Sequence, residues 1–300
     1  MSSPSESYLV GLIGEGVTPS LTPPMHEQEA GQLGLRYLYR PVDLSTLVPV
    51  GGDDGGPGDT AAQLRELLHR GRDLGFNAFN ITHPCKQLVL QFLDEVSDDA
   101  ARLGAVNTVL IRDGKFVGHN TDFSGFTTAL AAGLPSAALD SVVQLGVGGA
   151  GAAVAYALLK AGAAELTLID LAPARAQERA EALGRLFPEA LVTAAPAAGL
   201  PAALAEADGL VHATPVGMHS HPGLPLDLDL ISPDQWVADV VYRPLETELV
   251  LGARAKGCAV LDGGYMAVGQ AVDAFELITG IRPDAQRMRE HFLDLIARGL

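Results

Sequence analysis

A lysine and an aspartate set in two polar turns are the residues of this 300-residue chain whose types and surroundings best suit chemistry. Lys86 ends the run Asn80-Ile81-Thr82-His83-Pro84-Cys85-Lys86, and Asp122 ends His119-Asn120-Thr121-Asp122. An ammonium beside a carboxylate, partly withdrawn from water, can pass a proton to or from a hydroxyl once burial and neighbours bring its pKa toward the working pH. Such a pair suits the interconversion of an alcohol and a ketone. Taken singly, each residue has a plainer reading that prevails: a solvated lysine, and a turn or helix N-cap aspartate ahead of Phe123 to Leu130. Their company changes the balance, because Asn80, Thr82, Asn107, Thr108, Asn120 and Thr121 crowd short hydrogen-bonding side chains at the ends of apolar runs. Such groups suit a polyol better than a core.

The elements that must position the pair follow from the neighbouring residues. Gly75 to Phe79 is a short apolar stretch predicted to be a buried strand, and Pro84 fixes the direction in which Lys86 leaves it. Gly104 to Ile111 is predicted as a second strand, followed by an Asp113-Gly114 turn and a return stretch that delivers Asp122. Two strand-end loops are thus expected to meet over one pocket. Leu64 to Leu74 and Ala174 to Phe187 have the apolar spacing of amphipathic helices, and the glycine- and aspartate-rich Gly51 to Gly58 is expected to be a flexible loop.

A second constellation lies downstream. Ser141 to Leu145 reads as a strand, Gly146-Val147-Gly148-Gly149-Ala150-Gly151 as a glycine turn, and Ala152 to Lys160 as a helix. In that context the glycines permit a tight turn and a close backbone approach to a pyrophosphate, which the helix N-terminus holds with free amides and its positive dipole end. Leu166 to Asp170 forms the next strand, ending in an acidic residue roughly 20 residues beyond the turn, as a dinucleotide fingerprint requires. A carboxylate at Asp170 accepts hydrogen bonds from ribose hydroxyls and repels a 2′-phosphate, which favours NAD over NADP. Arg175 leaves three readings open: a partner for a 2′-phosphate, a stacking group near adenine, or a solvated helix residue.

With these residues in view, the chain resembles the shikimate dehydrogenases, and most closely the NAD-dependent bacterial quinate/shikimate dehydrogenases. The likeness runs over nearly the whole sequence: Leu12-Ile13-Gly14, Ser20-Leu21-Thr22-Pro23 with Met25-His26, Asn80 to Lys86, Gly104 to Thr108, Asn120 to Asp122, Gly146 to Gly151, Ala213 to Met218, Asp239 to Pro244, and Met266 to Ala271. The resemblance implies that Lys86 transfers the proton with Asp122 as its partner. It implies that Ser20, Thr22, Thr82, Lys86, Asn107, Asp122, Tyr242 and Gln270 line the substrate. By the same resemblance Gly146, Gly148, Gly149, Ala150, Gly151, Asp170, Arg175, Ala213, Thr214, Pro215, Val216, Val240 and Gly263 contact the dinucleotide. Several of these have structural alternatives: Ser20 and Thr22 as caps of the helix carrying Met25 to Leu33, Asn107 as a turn pin, Tyr242 as packing before Pro244, and Gln270 as an exposed helix residue.

Two departures from the usual biosynthetic pattern point to the quinate-using branch: Thr22 where serine is common, and Asp170 where an Asn-Arg-Thr run usually grips the 2′-phosphate of NADP. The implied reaction is oxidation of the C3 hydroxyl of quinate or shikimate with NAD, NADP being less favoured. The implied fold is α/β: an N-terminal α/β substrate domain over residues 1–123, completed by C-terminal helices over 268–300. A Rossmann-type doubly wound dinucleotide-binding domain over 124–267 interrupts it, and the active site is expected in the interdomain cleft. The Gly263-Gly264 pair is a candidate hinge, or simply a turn that starts a helix. The alternatives are an NADP-linked biosynthetic shikimate dehydrogenase, a relative acting on an aminoshikimate-type analogue, and a non-catalytic dinucleotide-binding sensor that kept only the fold.

Composition sets the remaining bounds. A chain that is 48% hydrophobic but only 5% aromatic has enough aliphatic residues for two cores. A net charge of −16 argues against nucleic acid, whose phosphates need basic residues. No apolar run approaches a membrane span and Met1 to Tyr8 lacks signal-peptide character, so a cytoplasmic protein without a membrane partner is expected. The two cysteines, Cys85 and Cys258, have no metal-ligand spacing and suit a reducing compartment. Cys85 reads as a packed thiol or an alkylation-sensitive one. His219-Ser220-His221-Pro222 reads as a surface loop, and no metal is expected. The quaternary state is expected to be a monomer or homodimer.

Overall fold

In the computed structural model, residues 7–47 and 59–300 are described, so the expected loop at Gly51 to Gly58 lies outside the described residues. The chain divides into two compact units, one comprising Met1–Thr121 with Ala271–Leu300 and the other Asp122–Gln270.

The first unit is built from β1 (Ser7–Gly14), α1 (Thr22–Gln32), β2 (Arg36–Asp43), α2 (Thr60–Asp73), β3 (Ala78–Ile81), α3 (Cys85–Leu88), β4 (Glu95–Val96), α4 (Asp98–Leu103), β5 (Thr108–Arg112) and β6 (Lys115–His119). Its six-stranded sheet has the order β2-β1-β3-β5-β6-β4. β1 pairs in parallel with β2 and β3, whereas β5 runs antiparallel to both β3 and β6. The Asp113-Gly114 turn forms as expected, with both residues at positive φ (50° and 79°), the geometry a tight β-hairpin demands.

Two predicted strands shift. The strand expected at Gly75 to Phe79 occupies Ala78–Ile81, because Gly75 adopts φ 82° just past α2 and Asn77 instead uses its side chain to accept the Leu9 N–H at 2.8 Å. The strand expected from Gly104 starts at Thr108, because Gly104 is the left-handed C-cap of α4. Asn80 therefore lies inside a strand and not in the turn.

Alternation across the sheet then decides which polar groups are buried together. Phe79, Ile81 and Val109 join the apolar layer with Leu64, Leu68 and Phe116, while Ala78 and Leu110 face the opposite layer with Val10, Leu12 and Tyr39. With a period of two, Asn80 and Thr108 share the Tyr39 side. A C-terminal helix over Ala285–Ala297 is tied to α1 by Glu29, which is 1% exposed and accepts a two-pronged bond from Arg287 at 2.7 and 2.5 Å.

The second unit contains most of α5 (Thr121–Gly133), then β7 (Ser141–Leu145), α6 (Gly149–Lys160), β8 (Glu165–Ile169), α7 (Pro173–Leu186), β9 (Leu191–Ala195), α8 (Leu200–Ala205), β10 (Gly209–His212), β11 (Trp236–Asp239), α9 (Glu248–Lys256), β12 (Ala259–Leu261) and the first half of α10 (Gly263–Thr279). Helix α11 (Ala285–Ala297) closes the chain. The expected amphipathic helices appear as α2 and α7. All six strands of the second sheet are parallel, in the order β12-β11-β10-β7-β8-β9. Counted from β7 this is the 3-2-1-4-5-6 arrangement of a Rossmann fold, which reverses direction between β7 and β10. Ligands of such sheets bind outside the strand C-termini at that switch point. No helix among the described residues is long and apolar enough to cross a membrane.

Candidate active site

Strand direction gathers the candidate residues of the first unit at one sheet edge. β1 and β3 are parallel neighbours, so the segments that follow them, bearing Ser20 and Thr22, and Thr82 and Lys86, leave from the same end. β5 is antiparallel to β3 and starts at that end with Asn107 and Thr108 beside it. β6, antiparallel to β5, delivers Asn120, Thr121 and Asp122 there in turn. Gly14 is required for this convergence, since a Cβ on it would fall 2.3 Å from the Thr82 methyl. The Thr82 N–H donates to the Ile13 carbonyl at 2.9 Å, and Cys85 N–H donates back to Thr82 at 2.8 Å as the chain turns into α3. The His83–Pro84 peptide is cis. Lys86 is half-buried within α3, and its carbonyl accepts the Val106 N–H at 2.8 Å.

From there a buried polar relay runs across the sheet. Tyr39 donates its hydroxyl to Asn80 Oδ1 at 2.5 Å, and Asn80 Nδ2 donates to Thr108 Oγ1 at 2.9 Å. Thr108 donates to Asn107 Oδ1 at 3.1 Å, and that same oxygen accepts the Thr121 N–H at 2.7 Å. Asn107 Nδ2 completes the clamp on Thr121 Oγ1 at 3.0 Å. Burial pushes the Tyr39 phenol well above its ordinary pKa, so it remains a donor. The relay fixes the first residue of α5, and Asp122, 7% exposed, follows as an acidic residue of the first turn and not as the N-cap. Ser20 Oγ accepts the Thr22 N–H at 3.3 Å, while Leu21 occupies the N-cap of α1 without a side-chain bond.

In the second unit Gln270 lies on α10 where it crosses α5. A Cβ on Gly125 would meet the Gln270 backbone N at 2.4 Å, and one on Gly269 would meet the Gly125 carbonyl at 2.5 Å. Gly125 is three residues beyond Asp122, on the same helix face, so Gln270 packs beside the turn that carries the carboxylate. Gln270 is half-buried, not an exposed helix residue. Tyr242 follows β11 with 36% of its surface exposed, so packing does not account for it fully.

The glycines of the loop differ in what each position demands. Gly146 has φ 89°, and a Cβ there would meet the Ala213 carbonyl at 2.6 Å. A Cβ on Gly151 would lie 2.3 Å from the Gly146 carbonyl, so this glycine serves the close fit of helix to strand. At Gly148 and Gly149 a Cβ would meet nothing within 4 Å, so the protein itself demands no glycine there. Free space above bare backbone, at the N-terminus of a 12-residue helix whose first amides lack intrahelical partners, fits the pyrophosphate of a dinucleotide. Gln144, fully buried, braces the loop by donating to the carbonyls of Gly146 at 2.8 Å and Gly151 at 2.7 Å.

The other expected cofactor residues sit at the C-terminal ends of successive strands: Asp170 after β8, Ala213 to Val216 after β10, Val240 after β11 and Gly263 after β12. Gly263 has the Val241 carbonyl 2.3 Å from where a Cβ would be, and with Gly264 it starts α10, as the helix-start reading of the pair requires. Asp170 Oδ2 accepts the Val147 N–H at 2.9 Å, and Oδ1 accepts the Ala172 N–H at 2.9 Å and an Arg175 guanidinium proton at 2.6 Å. Burial alone would raise the Asp170 pKa, but these donors outweigh it and hold the carboxyl below its usual range. Arg175 is therefore ion-paired, and not the simply solvated helix residue. Leu171, between them in the loop, is 95% exposed.

Several residues of these networks escaped the sequence: Tyr39, Gln144, and the buried pair His212 and Asp239. His212 directly precedes the flagged Ala213 run and Asp239 opens another, so proximity to a motif was the available signal. Cys85 is fully buried and burial pushes its thiol up to about 11, which removes the alkylation-sensitive reading. His219, Ser220 and His221 are exposed, as a surface loop should be.

A Rossmann-type nucleotide-binding unit joined to an α/β unit with clustered polar strand ends defines the class. Comparison with known proteins gives the family. The family described as "Shikimate dehydrogenase substrate binding domain" matches residues 12–109, and "Shikimate 5'-dehydrogenase C-terminal domain" matches residues 265–291. The shikimate dehydrogenase (NADP(+)) of Pseudarthrobacter chlorophenolicus is 65% identical over 99% of this chain and 98% of its own. The quinate/shikimate dehydrogenase (NAD(+)) of Corynebacterium efficiens is 50% identical over 97% of this chain and 99% of its own. The structure of quinate dehydrogenase from Corynebacterium glutamicum in complex with NAD aligns with a TM-score of 0.88 at 49% identity, covering 96% of this chain and 99% of that one. The chain belongs to the shikimate dehydrogenase family.

Proposed function

We propose that this protein oxidises the C3 hydroxyl of quinate or shikimate with NAD, and that Lys86 and Asp122 are its catalytic pair. The observation that supports the reading is strand direction: the segments bearing Ser20 and Thr22, and Thr82 and Lys86, leave the end of the sheet at which Asn107 binds Thr121. These side chains offer hydroxyl, amide and ammonium groups to a carboxylate and ring hydroxyls. Tyr242 and Gln270 extend the substrate contacts. The bound dinucleotide, held by Gly146 to Gly151, Asp170, Ala213 to Val216, Val240 and Gly263, supplies the hydride acceptor. Lys86 takes or returns the hydroxyl proton at Nζ, and Asp122 orients both the ammonium and the substrate hydroxyl.

NAD is favoured over NADP by the Asp170 carboxylate at the end of β8 and by Leu171 and Ala172, which offer no cation where a 2′-phosphate would need one. Arg175 already spends a guanidinium edge on Asp170 at 2.6 Å. The NADP-linked reading has its own support in the name of the Pseudarthrobacter relative. Reduction of NAD and NADP, each with quinate and with shikimate, tests the proposal, with Lys86→Ala as control. Lysine-dependent NADH formation is expected. Activity confined to shikimate and NADP would establish the biosynthetic branch, and turnover unchanged in Lys86→Ala would remove the lysine from the mechanism.

A further inference from the structure

His212 ends β10 opposite Asp239 of β11 in the parallel register, and both are buried, at 0% and 3% exposure. Asp239 Oδ1 lies 2.9 Å from His212 Nδ1 and also accepts the Val241 N–H at 3.0 Å. Oδ2 accepts the Thr247 hydroxyl at 2.7 Å; Thr247 Oγ1 in turn accepts the Val250 N–H at 3.1 Å, which commits its proton to the carboxylate. The carboxylate can only accept, so the imidazole donates from Nδ1. Nε2 lies 2.5 Å from Thr214 Oγ1, which also accepts the Val216 N–H at 3.2 Å. The Thr214 methyl, for its part, lies 2.8 Å from where a Cβ on Gly146 would be. One end of this relay is a buried carboxylate, and the other rests on the first turn of the dinucleotide loop.

We propose that His212 is a positioning residue for the dinucleotide: held by Asp239, it fixes the Thr214 hydroxyl in place at the glycine loop, where a polar group of the cofactor meets it. A carboxylate–imidazole–hydroxyl chain can also activate a nucleophile. Here the hydroxyl is bonded to His212 on one side and to the Val216 N–H on the other, and its methyl is seated on Gly146, which is the arrangement of a fixed contact. The inference rests on the reading of Gly146 to Gly151 as the dinucleotide site.

The test is equilibrium binding of NADH and of NADPH, followed by their own fluorescence without any acid substrate, so that turnover plays no part. Thr214→Val keeps shape and leaves the His212–Asp239 bond intact; it is expected to weaken binding of the preferred dinucleotide about tenfold, with Thr214→Ser returning it to within about threefold of the parent. His212→Phe should weaken binding similarly, and the double variant His212→Phe/Thr214→Val no further than either alone, because one relay has been cut twice. A folded Thr214→Val that binds as tightly as the parent overturns the inference, as do independent, multiplying effects of the two substitutions. Should His212→Phe fail to fold, His212→Asn takes its place in the double-variant cycle, with the same expected and overturning outcomes. If the parent protein binds neither dinucleotide, the site reading itself fails, an outcome distinct from a binding parent with unaffected variants.

Discussion

Asn107 Oδ1 accepts the backbone N–H of Thr121 at 2.7 Å, so a residue at the start of β5 determines where α5 begins. The bond matters because the next residue is Asp122, while the residue before Asn107, Val106, donates to the Lys86 carbonyl at 2.8 Å. Two consecutive residues thus anchor the chain segments that carry both members of the proposed catalytic pair.

Asn107→Ala should therefore act on turnover as well as stability. It deprives a buried helix-terminal amide of its acceptor, and a buried unsatisfied group of that kind costs about 1–3 kcal/mol. Denaturant titration is expected to show a loss in that range, with kcat reduced at least about tenfold in the folded fraction because the α5 start is no longer pinned. NADH binding, measured separately, should be nearly unchanged. Loss of stability with full kcat would make the Asn107 clamp purely structural.

The glycine loop separates folding from binding by position. Gly151→Ala would drive a Cβ to 2.3 Å from the Gly146 carbonyl and should destabilise by about 1–3 kcal/mol through overpacking. Gly148→Ala meets no protein atom within 4 Å at φ −65°, so its stability should equal or slightly exceed the parent's. Dinucleotide affinity should nevertheless fall about tenfold or more, since the methyl occupies the ligand's side. Parental NADH affinity in Gly148→Ala would move the pyrophosphate away from this loop.

Local pattern decides which parts of the fold are legible in the sequence. Strand, glycine turn, helix and acidic strand end follow one another from Ser141 to Asp170, and each carries its own signal, so the dinucleotide unit is legible. The boundary of β3 is not, because Gly75 to Phe79 is apolar enough to pass for a strand, while Asn80 looks like a turn residue until its partners are known. Those partners are Thr108, 28 residues on, and Tyr39, 41 residues back. Likewise His212 in Gly209-Leu210-Val211-His212 reads as the polar end of a strand, and only the sheet order sets it against Asp239. Buried polar pairs of high sequence separation leave no periodic trace.

His26 gives the fold a pH dependence of definite sign. It is fully buried, bonded through Nδ1 to the Tyr37 hydroxyl at 2.9 Å and edge-on to Tyr39 and Phe275. Burial lowers its pKa to about 3, outweighing the opposing pull of the Ala271 backbone. The unfolded chain, titrating near the ordinary 6.5, then binds the extra proton between those values. The stability linked to His26 is complete above about pH 6.5 and is lost as the pH falls toward 3, on the order of 2 kcal/mol by pH 5. In His26→Gln this part of the pH slope should vanish, so the stability gap between parent and variant measured by urea titration should narrow from pH 7 to pH 5. A gap equal at both pH values would mean that His26 is not held neutral.

The proposed preference for NAD makes a prediction at the Asp170–Arg175 pair. Asp170→Asn keeps one carbonyl oxygen to accept the Val147 N–H but removes the charge that holds Arg175 at 2.6 Å. The guanidinium, more than half exposed, is then free to meet a 2′-phosphate, a geometry it serves well. The variant should use NADP relative to NAD at least about fivefold better by kcat/KM than the parent, mostly through KM for NADP. Adding Arg175→Ala to Asp170→Asn should cancel most of that gain, because the cation that profits from the lost carboxylate is gone. The ratio of the two kcat/KM values reads out both steps. An unchanged ratio in Asp170→Asn would show that the carboxylate does not discriminate. A gain that survives Arg175→Ala would assign the discrimination to repulsion by Asp170 alone.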